Sequence, residues 1–296
     1  MKKYLSIDIG GTLIKYAIMD EEYHIYQEQE EPTLKEPSLF FGQLLSIIRG
    51  AKEEINGIAI CLAGFINPET GVNSDFSVGE NFRKYNLKET LSRLFGLPVL
   101  IENDSNCAAL GELVAGAAKG CDNICMITLG TGIGGAFIQN GQLYRGSHFK
   151  AGEAGQTYVG IRAADRGIAC ESAGATAALV REVSNMLGQN VDGIYIFNHI
   201  SDPLINKIYQ DWLLKVAITV GNMAVLFDPE KLLIGGGISK QEGFIRDLRR
   251  KVYDLYPYLE EYTDISACEL GNNAGKVGAL HLLLRERSLP SIVNGE

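Results

Sequence analysis

Asp8-Ile9-Gly10-Gly11-Thr12 and Gly130-Thr131-Gly132-Ile133-Gly134-Gly135 are two glycine-rich turns, each placed directly after an apolar, strand-like run. Glycine permits a tight bend and leaves consecutive backbone N–H groups open to an anion. One such turn carries little information. A matched pair implies two strand–turn–strand units facing one nucleotide across a cleft. Between them, Ile101-Glu102-Asn103-Asp104 reads as a further strand that ends in an acid.

Outward from the first turn, residues 3–9 read as a strand, 13–19 as its return and 24–28 as a third strand. Apolar spacing predicts a helix over 40–49, a buried strand over 58–64, a helix over 87–95 stopped by Gly96, and a strand over 99–101. Asn103-Asp104-Ser105-Asn106 reads as the cap of a helix over 107–113. The second unit begins with a strand over 124–129, returns over 134–138 and turns at Asn140-Gly141, a type I′ hairpin signal. Long helices are expected over 172–187 and 212–227, a strand over 232–234 leading into Gly235-Gly236-Gly237, and a closing helix over 274–287. The halves look like one scaffold used twice, although only the glycine turns match in sequence.

Gly130-x-Gly132-x-x-Gly135 has the spacing of a dinucleotide-binding fingerprint, which requires a helix immediately after the glycines. A β-alternating return follows instead, so that site is excluded. Gly130 and Gly132 then serve a phosphate-facing turn, with Thr131 adding a hydroxyl donor; alone, the turn is also compatible with a plain hairpin. The first turn is richer. Gly10 and Gly11 bring backbone to phosphate, Thr12 can donate to it, and Lys15 can offset its charge. Asp8 would repel a nucleotide unless Mg²⁺, held directly or through water, lies between them. By itself Asp104 is compatible with a simple helix cap.

Bulk properties bound the function. A chain of 296 residues can bury a large core and accommodate two domains. The net charge of −9 would repel a phosphate backbone, so nucleic acid is not an expected partner. Six cysteines show neither disulfide nor zinc-finger spacing, which points to reduced thiols and the cytoplasm. Met1-Lys2-Lys3 resembles the start of a signal peptide, but Asp8 falls where the apolar stretch should continue, and no run reaches membrane-helix length. The four histidines read as surface or packing residues, Glu28, Glu30 and Glu31 as a solvated edge, and Tyr253, Tyr256, Tyr258 and Tyr262 as packing residues.

Asp8-Ile-Gly-Gly-Thr-x-x-Lys15, Glu102-Asn-Asp-Ser-Asn-Cys-Ala-Ala109, Leu129-Gly-Thr-Gly-Ile-Gly-Gly135, Gly152-Glu153-Ala-Gly155 and Ile234-Gly-Gly-Gly237 occur in order over nearly the whole chain. In this the sequence resembles the ROK family of sugar kinases and sugar-responsive repressors. The resemblance implies an α/β, two-lobed actin-like ATPase (ribonuclease H-like) fold with an interlobe cleft. The small lobe would be residues 1–115 with 275–296, and the large lobe 116–274. It makes Asp104 the catalytic base, Asn103 and Glu153 sugar ligands, and Gly235 and Gly236 the adenosine-binding turn. ATP and Mg²⁺ become the expected cofactors, a sugar the substrate, and a homodimer the expected assembly.

Departures from the family pattern are also informative. Gln156 stands where many members have histidine, and the loop over 160–171 carries only Cys170 where they have a zinc-binding cysteine cluster. No zinc is expected. Gln156 can offer an amide to the sugar in place of the imidazole. Glu171 is either the second sugar carboxylate or an acid at a helix N-terminus. The missing cluster resembles the β-glucoside kinase branch, which phosphorylates the 6-hydroxyl of a glucose unit; glucose and N-acetylmannosamine kinases stay open. A repressor would need a DNA-binding unit, and only seven residues precede Asp8. A non-catalytic sugar-binding remnant is disfavoured because Asp104, Gly10 and Gly11 are present.

Overall fold

The computed structural model describes residues 1–74, 86–162 and 166–288. Two compact units result: Met1–Ala115 with Ser147–Phe149 and the chain from Asn272 onward, and Gly116–Gly146 with Lys150–Gly271. No helix among the described residues is long and apolar enough to cross a membrane.

The first unit is built on β1 (Lys3–Ile9), β2 (Leu13–Asp20), β3 (Ile25–Pro32), β4 (Ile58–Leu62) and β5 (Val99–Asn103), in the order β3-β2-β1-β4-β5. β1, β4 and β5 run parallel; β2 pairs antiparallel with β1, and β3 antiparallel with β2. Strand alternation divides the sheet into two faces. Leu5, Ile7, Ile9, Ile14 and Ile18 face α1 (Pro37–Ala51), meeting its Phe40, Leu44, Ile47 and Ile48. Each such side chain contributes roughly 1.5–3 kcal/mol on burial. Pro37 at the start of α1 and the Glu36 carboxylate, which accepts from the Ser38 and Leu39 N–H groups, fix where that helix begins. The opposite face carries Ser6, Asp8, Lys15 and Ala17. α2 (Leu87–Phe95) ends at Gly96 in the left-handed conformation (φ 65°), as its sequence predicts.

The second unit repeats the plan. Its strands β6 (Ile124–Leu129), β7 (Ile133–Gln139) and β8 (Gln142–Tyr144) precede a separate hairpin, β9 (Tyr158–Arg162) and β10 (Arg166–Ala169). β11 (Lys231–Gly235) and β12 (Asp264–Ala267) complete a sheet of order β12-β11-β6-β7-β8. Counted within its unit, this is the first sheet's order again, with β6, β11 and β12 parallel, β7 antiparallel to β6 and β8 antiparallel to β7. The duplication thus extends to complete sheet topology, well past the glycine turns. Asn140 (φ 52°) and Gly141 (φ 67°) both adopt the left-handed backbone that a type I′ turn requires.

Helices in chain order are α3 (Asp104–Ala115), α4 (Cys170–Gly174), α5 (Thr176–Leu187), α6 (Gly193–Asn198), α7 (Pro203–Phe227), α8 (Glu242–Leu255), α9 (Leu259–Tyr262) and α10 (Ala274–Ser288). Three differ from expectation. The helix expected over 172–187 is broken at Ala175, whose ψ of 150° is extended. Trp212, fully buried, donates its indole N–H to the Ala175 carbonyl (3.1 Å), which also accepts the Ala178 N–H (2.9 Å) at the start of the next helix. The helix expected over 212–227 starts earlier, at Pro203, because Asp202 caps it through the Leu204 and Ile205 N–H groups. Asp104 belongs to the first turn of α3 rather than to a cap before it. Of the tyrosines, Tyr253 and Tyr256 pack on the second core, whereas Tyr258 and Tyr262 are exposed.

Candidate active site

In the first unit the candidate residues lie at the ends of β1 and β5. The turn after β1 closes with the Gly10 N–H on the Leu13 carbonyl (3.0 Å). Gly11 and Thr12 are exposed at its tip. Thr33 ties it down, donating Oγ1–H to the Gly10 carbonyl (2.8 Å) and N–H to that of Thr12 (2.9 Å). Lys35, which sequence reasoning missed, donates to the Gly11 carbonyl and adds an exposed cation to the turn. Lys15 lies directly across from Asp8 in the β1–β2 register.

β5 delivers Asn103, and α3 begins on the next residue. Asn103 Oδ1 accepts from the Asn106 N–H (2.9 Å), so Asn103 is the residue that caps α3. Its Nδ2 donates to the Gly64 carbonyl (3.0 Å) and fixes the side chain. Glu102, fully buried, accepts from the Asn103 N–H (2.9 Å) and from Asn106 Nδ2 (3.0 Å). Asp104 is spared the capping role; its Oδ1 accepts the local Ser105 N–H (2.7 Å), on a half-buried side chain.

Electrostatics tie Asp104 to Asp8. Burial holds the Asp8 carboxyl above its ordinary pKa; a Cys61 hydrogen bond opposes this, the Asp104 charge adds to it, and Lys15 and Lys276 pull it down. Burial likewise raises Asp104, against the hydrogen bonds it accepts. Cys61 and Cys107 are fully buried neighbours whose thiols are also pushed up, the behaviour of inert core cysteines. Two partly desolvated carboxylates with hard oxygen donors fit a divalent cation such as Mg²⁺. Among the described residues no three His, Cys, Asp or Glu side chains are grouped to hold a metal, so such a cation would complete its shell with phosphate and water. Residues 163–165 of the loop read for zinc lie outside the described residues.

In the second unit, Thr128 takes the place that Asp8 holds in the first, two residues before the glycines. Its Oγ1 accepts from the Gly134 N–H (3.2 Å), a neutral bond in place of a carboxylate. The Gly130 N–H closes the turn on the Gly132 carbonyl (3.0 Å). Glu171, in the first turn of α4, accepts from the Ile133 N–H (3.1 Å) and sits so close that a side chain on Gly132 would begin 2.6 Å from its Oε2. Gly155 would likewise collide with the Ile133 carbonyl at 2.5 Å, which keeps Glu153 and the short 3₁₀ turn Ala154–Gln156 against β7. Gln156 is exposed. Gly236 (φ 90°) approaches the Leu129 carbonyl to a distance only glycine permits, 2.1 Å from where a Cβ would stand. The structure therefore gathers Gly130, Thr131, Gly132, Glu171, Gly235 and Gly236 at one end of the second sheet.

The profile described as "ROK family" matches residues 4–286. A β-glucoside kinase of Listeria innocua is 31% identical over 97% of this chain and 99% of its own length. A glucokinase of Streptomyces coelicolor is 33% identical over 94% of this chain and 96% of its own. Among solved structures, a glucokinase of Streptomyces griseus in complex with glucose and AMPPNP superposes with a TM-score of 0.80 at 28% identity, covering 96% of this chain and 99% of that one.

Proposed function

Because the chain belongs to the ROK family, we propose that it is an ATP-dependent sugar kinase with the actin-like ATPase fold, acting on the 6-hydroxyl of a glucose unit, in a β-glucoside or in glucose itself. The observation that carries the mechanism is the division of labour at α3. Asn103 satisfies the helix terminus, and Asp104 keeps its carboxylate for a substrate hydroxyl.

In this reading Asp104 accepts the proton as the sugar oxygen attacks the γ-phosphate. A carboxylate raised by burial is a stronger base than a solvated one, which suits the task. Gly10, Gly11 and Thr12, with Gly130, Thr131 and Gly132, offer N–H and hydroxyl donors to phosphate oxygens. Lys15 offsets their charge. Asp8 would hold Mg²⁺ through water, and the cation would supply charge neutralisation on the phosphates. Gly235 and Gly236, held close against β6, form the turn assigned to the adenosine. Asn103, Glu153, Gln156 and Glu171 are assigned to the sugar hydroxyls; Glu171 also braces the second glycine turn, so both of its sequence readings are compatible with one position. Zinc has no part in this reading, the cytoplasm is its compartment, and a homodimer its assembly.

The test is a substrate panel. ADP release from Mg-ATP is followed with glucose, cellobiose, an aryl β-glucoside and N-acetylmannosamine, and the product's phosphorylated carbon is identified by NMR. Turnover of a glucose unit with phosphate on carbon 6 supports the proposal. Preference for N-acetylmannosamine would replace the substrate but keep the chemistry, and no turnover of any sugar would overturn it.

A further inference from the structure

Lys276, on the first turn of α10, is completely buried, an uncommon position for a lysine. Its backbone carbonyl accepts from Ser6 Oγ (2.7 Å), and its ammonium donates to Glu28 on β3, a residue expected from sequence to be simply solvated. The register explains the route. Ser6, Ala17 and Glu28 form one row across β1, β2 and β3, and the small Ala17 leaves space for the lysine stem. The next row on the same face is Asp8, Lys15 and Glu30. The preceding Gly275 lies against Asp8: a Cβ there would stand 3.8 Å from the Asp8 carboxylate.

Full burial of an ammonium costs several kcal/mol, and a half-exposed partner such as Glu28 returns only part of that. An apolar side chain would fill the same space without the penalty. The charge has an object in Asp8, which lies in the next row of the same face and against the preceding residue of α10. We propose that Lys276 is a positioning residue of the nucleotide site: anchored by Glu28, its ammonium is a fixed positive charge in the row next to that of Asp8, which does part of a bound cation's work and so sets how strongly Mg²⁺ and nucleotide binding are coupled. This rests on the kinase reading.

Calorimetry of ADP binding with and without Mg²⁺ tests it, the readout being the ratio of the two dissociation constants in wild type, Lys276→Met and Glu28→Gln. A unit charge acting at long range across a salt-screened protein surface is worth roughly three- to tenfold in binding. Lys276→Met should weaken Mg²⁺-free ADP binding by that factor and Mg-ADP binding less, raising the ratio. Glu28→Gln removes the counter-charge and should lower it. A purely structural pair would change both constants together, so an unchanged ratio, or shifts of the same sign in both variants, overturns the proposal. Should the lysine variant fail to fold, Glu28→Gln alone still decides by its sign. Wild-type protein that binds no ADP under either condition would overturn the kinase reading itself.

Discussion

Gly278→Ala should be among the most damaging single-methyl changes in the first unit. α3 and α10 meet backbone to backbone at Gly111 and Gly278. A Cβ on Gly278 would stand 1.7 Å from the Cys107 carbonyl oxygen and 2.8 Å from the Gly111 nitrogen. Neither is a side-chain atom able to rotate away, so the helices must separate by about 1.5 Å to restore ordinary contact. Overpacking of this kind costs ~1–3 kcal/mol or more, and a backbone clash belongs at the upper end. Alanine recovers up to ~1 kcal/mol of helix propensity, leaving a net loss of about 2–3 kcal/mol. At roughly 2–4 °C per kcal/mol the melting temperature should fall by about 5–10 °C. Because α3 carries Asp104 on its first turn, kcat should fall as well, by up to about 100-fold for a displacement near 1 Å. Gly42→Ala on α1 is the control: nothing lies within 4 Å of its would-be Cβ, so the same change should stabilise, by about 0.5–1 kcal/mol. Thermal melts and initial rates on the two variants give the answer. A Gly278→Ala protein that melts at or above wild type would refute the packing argument.

Further expectations concern the acids and a cap. The folded-state pKa of Asp104 lies above its unfolded value, so its favourable contribution exists below the unfolded pKa and is lost as pH rises through the folded one. Asp104→Asn should therefore raise the melting temperature of ligand-free protein at neutral pH, with the gain shrinking in acid. For the same reason the acid limb of kcat should fall at higher pH than an ordinary carboxylate would give, read from rates at saturating substrates. Asn86 caps α2 by accepting from the Glu89 N–H (2.9 Å), and Asn86→Ala should cost about 1 kcal/mol in urea titration.

Local chemistry made much of this visible in the sequence. The glycine turns, the Asn140-Gly141 hairpin and the Gly96 stop each depend on a residue type that few others can replace. The α7 start was also written there, as Asp202-Pro203, but apolar spacing alone does not register a capped polar entry. The break at Ala175 was not legible, since the Trp212 indole that exploits it lies far along the chain. The capping role of Asn103 against Asp104 turned on which of two adjacent oxygens reaches the Asn106 N–H, a matter of backbone direction at the end of β5. Lys276 and Glu28 are neighbours only because β3 joins the sheet two strands from β1 and α10 returns over it. No local pattern encodes that pair.

The central claim is that Asp104 is the base of a sugar phosphotransfer. Wild-type protein and Asp104→Asn should be compared for transfer of the γ-phosphate of Mg-ATP to the preferred sugar, with ADP binding measured on both. The account predicts that the variant binds Mg-ADP comparably yet loses transfer by at least about 100-fold. A variant that retains near wild-type transfer would contradict it.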